Sequence, residues 1–210
     1  MFVLLKKITP LNWYLEDIQK LEKKPVTKSR LKKVVFYGSS SFTRWETLEK
    51  ATSDFNFVNL GFGGSTLAAC TWFYDRVVPR QKPDAVFIYA GDNDLGDGRN
   101  PEEVVIFYKQ LITQIRETFT KIPVCFISIK PSPARATLKG SIEYTNKCIL
   151  EITATTNNNL HYIDVYSKML DEKGGMKNEL YVEDRLHLSV KGYELWQEEI
   201  LKKCHQFFIL

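Results

Sequence analysis

The 210-residue chain has little of what marks several large functional classes. Its four cysteines, Cys70, Cys125, Cys148 and Cys204, form no CxxC pair and show no metal-ligand spacing, so we expect buried, reduced thiols. No apolar run approaches the ~20 residues of a transmembrane helix. The opening MFVLLKK has too short an apolar run for a signal-peptide core. We therefore expect no membrane span and a cytoplasmic location.

Charge and glycine patterns exclude further classes. The net charge of +4, from 29 basic and 25 acidic residues, is too small to indicate nucleic acid by itself. GFGGST lacks the third glycine of a dinucleotide fingerprint, and no GKS or GKT is present for a P-loop. DNDLGDG places Asp97 where a calcium loop needs glycine. We expect neither cofactor nor metal, and no nucleic-acid partner.

Five apolar runs alternate with helical patterns along the chain. Most of them are continuously apolar, which is typical of strands buried on both faces. They are KVVFY (33–37), FNFVNL (55–60), DAVFIYA (84–90), IPVCFISI (122–129) and LHYID (160–164). The βαβα order predicts an α/β fold, a parallel sheet between two helical layers. With 44% hydrophobic residues and no linker-like segment, the chain 1–210 is predicted to form one domain.

Helix signals accompany these strands. Asn100 and Pro101 predict the start of a long helix, Ser65 is expected to cap a helix through Val78, and Ser189 the last helix. Near the start, Thr9-Pro10 predicts another helix, and residues 1–30 are expected to be a helical extension packed on the body. Its apolar face would consist of Leu11, Tyr14, Leu15, Ile18 and Leu21.

Polar motifs follow the predicted strands, where sites of parallel sheets gather. GSSS follows the first strand, GFGGST the second, GDND the third, and EDRLHLS precedes the last helix. Each motif alone has an ordinary structural interpretation: a helix cap, a tight turn, an Asp/Asn-rich turn or a solvated cap. Together they supply a hydroxyl nucleophile, oxyanion donors, a base and a carboxylate that orients the base.

The set resembles the SGNH hydrolases, also called the GDSL lipase/acylhydrolase family, over residues 33 to 200. VVFYGSSSF resembles the first family block, NLGFGGST the second, YAGDND the third and EDRLH the last. The resemblance implies Ser40 as nucleophile, His187 as base and Asp184 as its partner. It also implies an oxyanion hole from the N–H of Ser40, the N–H of Gly64 and the amide of Asn93, with no cofactor or metal.

The resemblance is closest to the platelet-activating-factor acetylhydrolase-like branch and implies a flavodoxin-like α/β/α sandwich with strand order 2-1-3-4-5. The first block departs from the family pattern, because Ser39 stands where the family usually has Asp. Register with Gly38 favours Ser40 as the nucleophile, while Ser39 and Ser41 remain alternatives.

The expected function is that of a serine esterase or acylhydrolase, cleaving a short-chain carboxylic ester through an acyl-enzyme. The alternatives are a carbohydrate O-acetyl esterase and a catalytically silent binding protein on the same fold. The partner is then a small-molecule ester, with acylated sugars or lipids as candidates. Lys130 and Arg135 border the predicted site and are expected to face solvent or a polar substrate. Trp45 and Trp72 are expected to pack in the core, with sugar stacking as the alternative.

Overall fold

A five-stranded parallel sheet organises the chain in the computed structural model, which describes residues 10–156 and 158–208. The strands are β1 (Lys33–Gly38), β2 (Asn56–Gly61), β3 (Ala85–Tyr89), β4 (Val124–Ile127) and β5 (Leu160–Ile163). Their spatial order is β2-β1-β3-β4-β5, with every neighbouring pair parallel. The five predicted strands and the expected order are confirmed.

Helices connect and cover the strands. They are α1 (Leu15–Glu22), α2 (Ser40–Thr43), α3 (Leu67–Val77), α4 (Asp92–Gly96), α5 (Pro101–Thr118), α6 (Lys139–Thr155), α7 (Val165–Lys168) and α8 (Val190–Phe208). Short 3₁₀ turns lie at Pro10–Tyr14, Leu48–Lys50, Pro79–Gln81, Pro133–Leu138 and Asn178–Leu180.

The strands alternate between two separate apolar layers. Val35 and Tyr37 of β1 face one layer, which is completed by apolar side chains of α1, α3, α5 and α6. Val34 and Phe36 face the other layer, which is completed by α2 and α8. All six residues of β1 are buried, because helices cover both faces of the sheet. This explains why the strand sequences are continuously apolar.

Helix starts follow the sequence signals with one correction. Asn100 and Glu103 form a reciprocal capping box at the start of α5, and Gly192 N donates to Ser189 Oγ at the start of α8. The cap of α3 is Thr66 rather than Ser65, since Thr66 Oγ1 accepts from Ala69 N at 3.1 Å. Both residues are cap formers, so composition alone could not separate them.

The N-terminal helix packs on the face that carries α3. Tyr14 and Ile18 are buried there, and Leu15 and Leu21 pack beside them, as predicted. Glu22 and Arg76 add an ion pair at 2.7 Å between α1 and α3. Thr9 and the side chain of Leu11 lie outside the described residues. The assignment of 1–210 to one domain with 1–30 as an extension stays a prediction.

The thiols largely follow expectation. All four cysteines are free, and Cys70, Cys125 and Cys204 are buried, whereas Cys148 on α6 is only half-buried. The expectation of burial was therefore wrong for Cys148. Within residues 10–156 and 158–208, none of the helices has the length and apolar character needed to cross a membrane.

Gly38 permits the closest approach between β1 and its neighbour β3. Its φ is +148°, and a Cβ at this position would overlap the carbonyl oxygen of Tyr89. That carbonyl accepts from Ser39 N at 2.9 Å, so the contact sets the path of the chain into α2.

We predict that Gly38→Ala lowers the free energy of unfolding by about 1–3 kcal/mol through backbone strain, with the overlap adding to this. Urea unfolding of the wild type and the variant measures the loss. Gly140→Ala in α6 is the matched control, because nothing lies within 4 Å of its added Cβ. Equal stability of the Gly38→Ala variant and the wild type would contradict this account of the β1–β3 contact.

Candidate active site

The sequence-predicted site residues lie after the strand ends that the sheet brings together. Ser40 begins α2 directly after β1, Gly64 follows β2, and Asn93 lies in α4 after β3. Asp184 and His187 lie in the segment before α8. Because all the strands are parallel, the segments that follow β1, β2 and β3 emerge at one edge of the sheet.

The three consecutive serines have different environments. Ser39 and Ser41 are buried, whereas Ser40 is partly exposed. Ser40 Oγ lies 3.1 Å from His187 Nε2. Ser39 Oγ has no hydrogen-bond partner among the described residues and does not cap α2. The geometry therefore distinguishes Ser40 from its neighbours, which the sequence could do only by register with Gly38.

Asp184, His187 and Ser40 form a continuous hydrogen-bonded chain. The Asp184 carboxylate lies 2.6 Å from His187 Nδ1, and the opposite ring nitrogen faces Ser40 Oγ. A carboxylate only accepts, so His187 carries its proton on Nδ1 and presents Nε2 as an acceptor to the serine hydroxyl. This is the arrangement that general-base activation of a serine needs.

A tight turn presents both residues of the D-x-x-H motif. Asp184 Oδ1 accepts from Leu186 N and His187 N, each at 2.9 Å, while Arg185 adopts a left-handed φ of +56°. Partial burial acts to raise the pKa of Asp184, but the hydrogen bonds from the His187 N–H, the His187 ring and the Leu186 N–H lower it overall. Asp184 is therefore ionised at neutral pH and holds the imidazole in place.

Gly64 lies on the exposed turn after β2 and has a φ of +68°. Its carbonyl accepts from the Tyr14 hydroxyl at 3.0 Å, which ties the turn to the N-terminal segment. Within the described chain, the Gly64 N–H has no hydrogen-bond acceptor. An unpaired, exposed backbone N–H is suited to binding an anion.

Asn93 contacts the same turn from α4. Its Nδ2 donates to the carbonyl of Ser65 at 3.1 Å, so the Asn93 amide lies beside the Ser65–Thr66 peptide, one residue after Gly64. The structure thus brings Asn93 to Ser65, the residue after Gly64, and joins Ser40 to His187 and Asp184 by hydrogen bonds. The catalytic roles of the five sequence-predicted site residues stay predictions.

The loop after β4 differs from expectation. Lys130 does not face solvent, since its side chain is 1% exposed and lies 3.4 Å from Asp92 Oδ2. The Arg135 side chain is 19% exposed and also faces Asp92, at 3.3 Å. Asp92 is therefore buried between the cations of Lys130 and Arg135. Burial acts to raise its pKa, but these two cations lower the pKa overall. Sequence reasoning missed this cluster because Asp92 is 38 or more residues from both cations.

Of the two tryptophans that were expected to pack in the core, only Trp45 does so. Trp45 is buried and stacks on Tyr193 with ring centroids 5.0 Å apart, so core packing is confirmed. Trp72 is 68% exposed, and core packing is wrong for it. Trp13, which the sequence analysis did not single out, is 81% exposed.

Trp13 lies beside the Gly64 turn. With Glu16, Asp17, Gly63 and Gly64 it lines an open cleft of about 500 Å³. A cleft of similar volume, about 520 Å³, opens between α5 and α6 beside Arg116 and shares no residue with the site. The cleft at Trp13 is therefore the one of interest for a ligand near Gly64.

The GDSL-like lipase/acylhydrolase family matches residues 30–195, which is most of the chain and contains all four motifs. The chain belongs to this family. The resemblance inferred from the motifs is confirmed.

Solved structures share the fold. A GDSL-like lipase from Bacteroides thetaiotaomicron has a TM-score of 0.78 at 19% identity, covering 93% of this chain and 98% of that one. A Streptococcus pneumonia chain, described as a candidate platelet activating factor, has a TM-score of 0.77 at 20% identity, covering 91% and 94%. A carbohydrate esterase family 3 structure from Talaromyces cellulolyticus has a TM-score of 0.67 at 20% identity, covering 84% and 97%.

A curated relative is longer than this chain. N-acylneuraminate cytidylyltransferase of Escherichia coli O18:K1:H7 is 23% identical over 174 residues, which are 80% of this chain. The match covers 39% of that protein's length.

Within this family fold, Asp94 is a buried carboxyl next to Asn93. Its Oδ2 accepts from Leu67 N at 2.8 Å at the start of α3, whereas Oδ1 has no hydrogen-bond partner among the described residues. Burial raises the pKa of Asp94 to about 6, although the Leu67 N–H and the nearby Arg99 oppose the rise. Asp94 thus anchors the α3 end of the Gly64 turn to α4.

We predict that Asp94 makes stability depend on pH between about 4 and 6. A carboxyl whose pKa is higher in the folded than in the unfolded state stabilises the fold fully below its unfolded pKa. That contribution, roughly 3 kcal/mol at most, is lost as the pH rises through about 6. Asp94→Asn retains an oxygen for Leu67 N, so its stability relative to the wild type should increase from pH 4 to pH 8. Urea unfolding across this pH range measures the difference in the free energy of unfolding. Asp75→Asn is the control, because Asp75 is exposed. If the free energies of the wild type and Asp94→Asn changed in parallel with pH, the prediction would be wrong.

Proposed function

We propose that the protein is a serine esterase or acylhydrolase that cleaves a short-chain carboxylic ester through an acyl-enzyme. The observation that carries this proposal is the chain from Ser40 Oγ to His187 Nε2, at 3.1 Å, and from His187 Nδ1 to Asp184, at 2.6 Å. These contacts supply a nucleophile, a base and the group that orients the base. Membership of the acylhydrolase family supports the same chemistry.

In the acylation step, Ser40 Oγ attacks the ester carbonyl carbon while His187 Nε2 takes the hydroxyl proton. The Asp184 carboxylate stabilises the imidazolium that forms. His187 then gives the proton to the leaving alcohol oxygen as the tetrahedral intermediate collapses to the acyl-enzyme. In deacylation, His187 takes a proton from water, whose oxygen attacks the acyl carbon. The bond between that carbon and Ser40 Oγ then breaks, His187 returns the proton to Ser40 Oγ, and the carboxylic acid leaves.

The oxyanion is stabilised by donors from three segments. Ser40 is the first residue of α2, so its N–H has no acceptor within the helix. The Gly64 N–H and the Asn93 amide supply the other two donors. Losing one such donor typically costs about 3–4 kcal/mol of transition-state stabilisation.

We predict that Ser40→Ala lowers kcat for p-nitrophenyl acetate by about 10³-fold or more, because the nucleophile is removed. Hydrolysis is followed by release of p-nitrophenol for the wild type and the variant. Ser39→Ala is the control, since the Ser39 hydroxyl is buried and makes no hydrogen bond with His187 or any other described residue. If Ser40→Ala retained wild-type kcat, Ser40 could not be the nucleophile.

A carbohydrate ester is the second candidate substrate, and the cleft beside Gly64 favours it. Trp13 offers an exposed indole face for stacking on a sugar ring, and Glu16 and Asp17 offer carboxylate acceptors for hydroxyl groups. Among the solved structures of the same fold are a carbohydrate esterase family 3 protein and an acetyl xylan esterase.

We predict that Trp13→Ala raises KM for an O-acetylated oligosaccharide about 5-fold to 30-fold, as loss of about 1–2 kcal/mol of stacking implies. The same variant should hydrolyse p-nitrophenyl acetate as the wild type does, because that ester has no sugar ring to stack on Trp13 and no hydroxyl groups for Glu16 and Asp17 to bind. Trp72→Ala is the matched control, an exposed tryptophan outside the cleft. Equal KM values for the two tryptophan variants would exclude Trp13 as a sugar contact.

A further inference from the structure

The orientation of the Asn93 amide is determined by two contacts of unambiguous chemistry. Arg135 Nη2 lies 2.9 Å from one amide atom, and a guanidinium can only donate, so that atom is Oδ1. The Ser65 carbonyl lies 3.1 Å from the other atom and can only accept, so that atom is Nδ2. The two contacts require the same orientation, in which the NH₂ group points towards the Gly64–Ser65 turn.

One N–H of the Asn93 amide remains after the contact with Ser65. Rotation of the amide by 180° would replace the NH₂ group with an acceptor oxygen, which would repel an oxyanion. It would also bring the amide NH₂ against the guanidinium. Arg135 therefore makes the reversed orientation unfavourable, and its charge polarises the amide so that the remaining N–H is a stronger donor.

Asp92 does not by itself account for the presence of Arg135. The buried Lys130 already lies 3.4 Å from Asp92 Oδ2, so these two opposite charges pair without a second cation. Arg135 Nη1 lies 3.3 Å from the same oxygen but makes no hydrogen bond with a described residue, whereas its Nη2 donates to Asn93. Asp92 thus holds the guanidinium, and the well-formed hydrogen bond goes to Asn93.

The surrounding backbone leaves room for this contact. A Cβ at Gly96 would lie 3.0 Å from the Arg135 guanidinium, so α4 ends in a residue that lets the cation approach. On the other side, Ala134 N donates to the carbonyl of Arg185 at 3.1 Å, which joins the Arg135 loop to the turn of Asp184 and His187. The loop after β4 is therefore attached both to Asn93 and to the turn that carries Asp184 and His187.

We propose that Arg135 is a positioning residue, which fixes the Asn93 amide with its NH₂ group towards the oxyanion and strengthens that group as a donor. The proposal rests on the proposed function, in which Asn93 stabilises the oxyanion. Arg135 itself acts through Asn93 and need not touch the substrate.

A double-mutant cycle tests this proposal. The enzymes compared are the wild type, Arg135→Ala, Asn93→Ala and the double variant, assayed with p-nitrophenyl acetate for kcat and KM. The rate at which a fluorophosphonate labels Ser40 is a second readout. Lys139→Ala is the matched control, because it removes a positive charge four residues further along, where the side chain is 46% exposed and faces Glu143.

Arg135→Ala should lower kcat about 10-fold to 100-fold with little change in KM, less than the 10²–10³-fold typical of losing an oxyanion donor itself. In the Asn93→Ala background the same substitution should have almost no further effect, because a positioning residue has nothing left to position. Lys139→Ala should match the wild type. Should Arg135→Ala not fold, Arg135→Lys takes its place in the cycle; its single ammonium keeps the charge at Asp92 but lacks the planar fork.

Two results separate the possible failures. If Asn93→Ala lowers kcat but Arg135→Ala has no effect, or an equal effect in both backgrounds, the positioning role is wrong and the esterase proposal stands. If Asn93→Ala leaves both kcat and labelling unchanged, Asn93 is not an oxyanion donor, and the proposed function fails at this residue together with the role of Arg135.

Discussion

Burial of the sheet on both faces determines where every segment of the candidate site can lie. The strands alternate side chains into two apolar layers, one closed by α1, α3, α5 and α6 and the other by α2 and α8. With each strand held between two layers, the segments after the strands have little freedom to shift relative to one another. Short side chains on these segments, such as Ser40 in α2 and Asn93 in α4, can then be placed to within hydrogen-bond distance.

The parts of the site are tied to this frame by hydrogen bonds of the backbone as much as by side chains. Ser39 N, just before α2, donates a hydrogen bond to the carbonyl of Tyr89. In the turn before α8, Leu186 N and His187 N donate to the Asp184 carboxylate. The Gly64 turn is held from two sides, by the Tyr14 hydroxyl at its carbonyl and by Asn93 at Ser65. The N-terminal helix is thus part of the support of the candidate oxyanion site.

The strands and the site motifs could be predicted from sequence because both are local signals. Continuous apolar runs predict strands buried on both faces. Three of the motifs directly follow a strand, and the fourth, with Asp184 and His187, lies just before α8. The contacts that escaped prediction join distant positions. The sequence KPSPAR predicts that Lys130 and Arg135 are exposed cations. The fold places Lys130 against Asp92 and Arg135 against Asn93, which the local sequence does not indicate. Trp13 lies on a face whose neighbour, the Gly64 turn, is 51 residues away along the chain.

The cap of α3 shows the same limit at short range. Ser65 and Thr66 are adjacent cap formers, and the structure uses Thr66 because the Ser65 carbonyl is bound to Asn93 and Leu67 N is bound to Asp94. Tertiary contacts of the site thus decide a choice that local propensity leaves open. The choice among the three serines is decided in the same way, by a histidine that is 147 residues from Ser40.

The proposed chemistry depends on activation of Ser40 by His187 and Asp184, and covalent labelling of Ser40 measures this activation. The protein would be treated with a fluorophosphonate, digested and mapped by mass spectrometry, alongside His187→Ala. We expect one adduct, on the peptide that contains Ser40 and at Ser40 itself, with labelling almost abolished in His187→Ala. An unlabelled wild-type protein, or an adduct that forms equally well without His187, would contradict the proposed chemistry and favour a binding protein on the same fold.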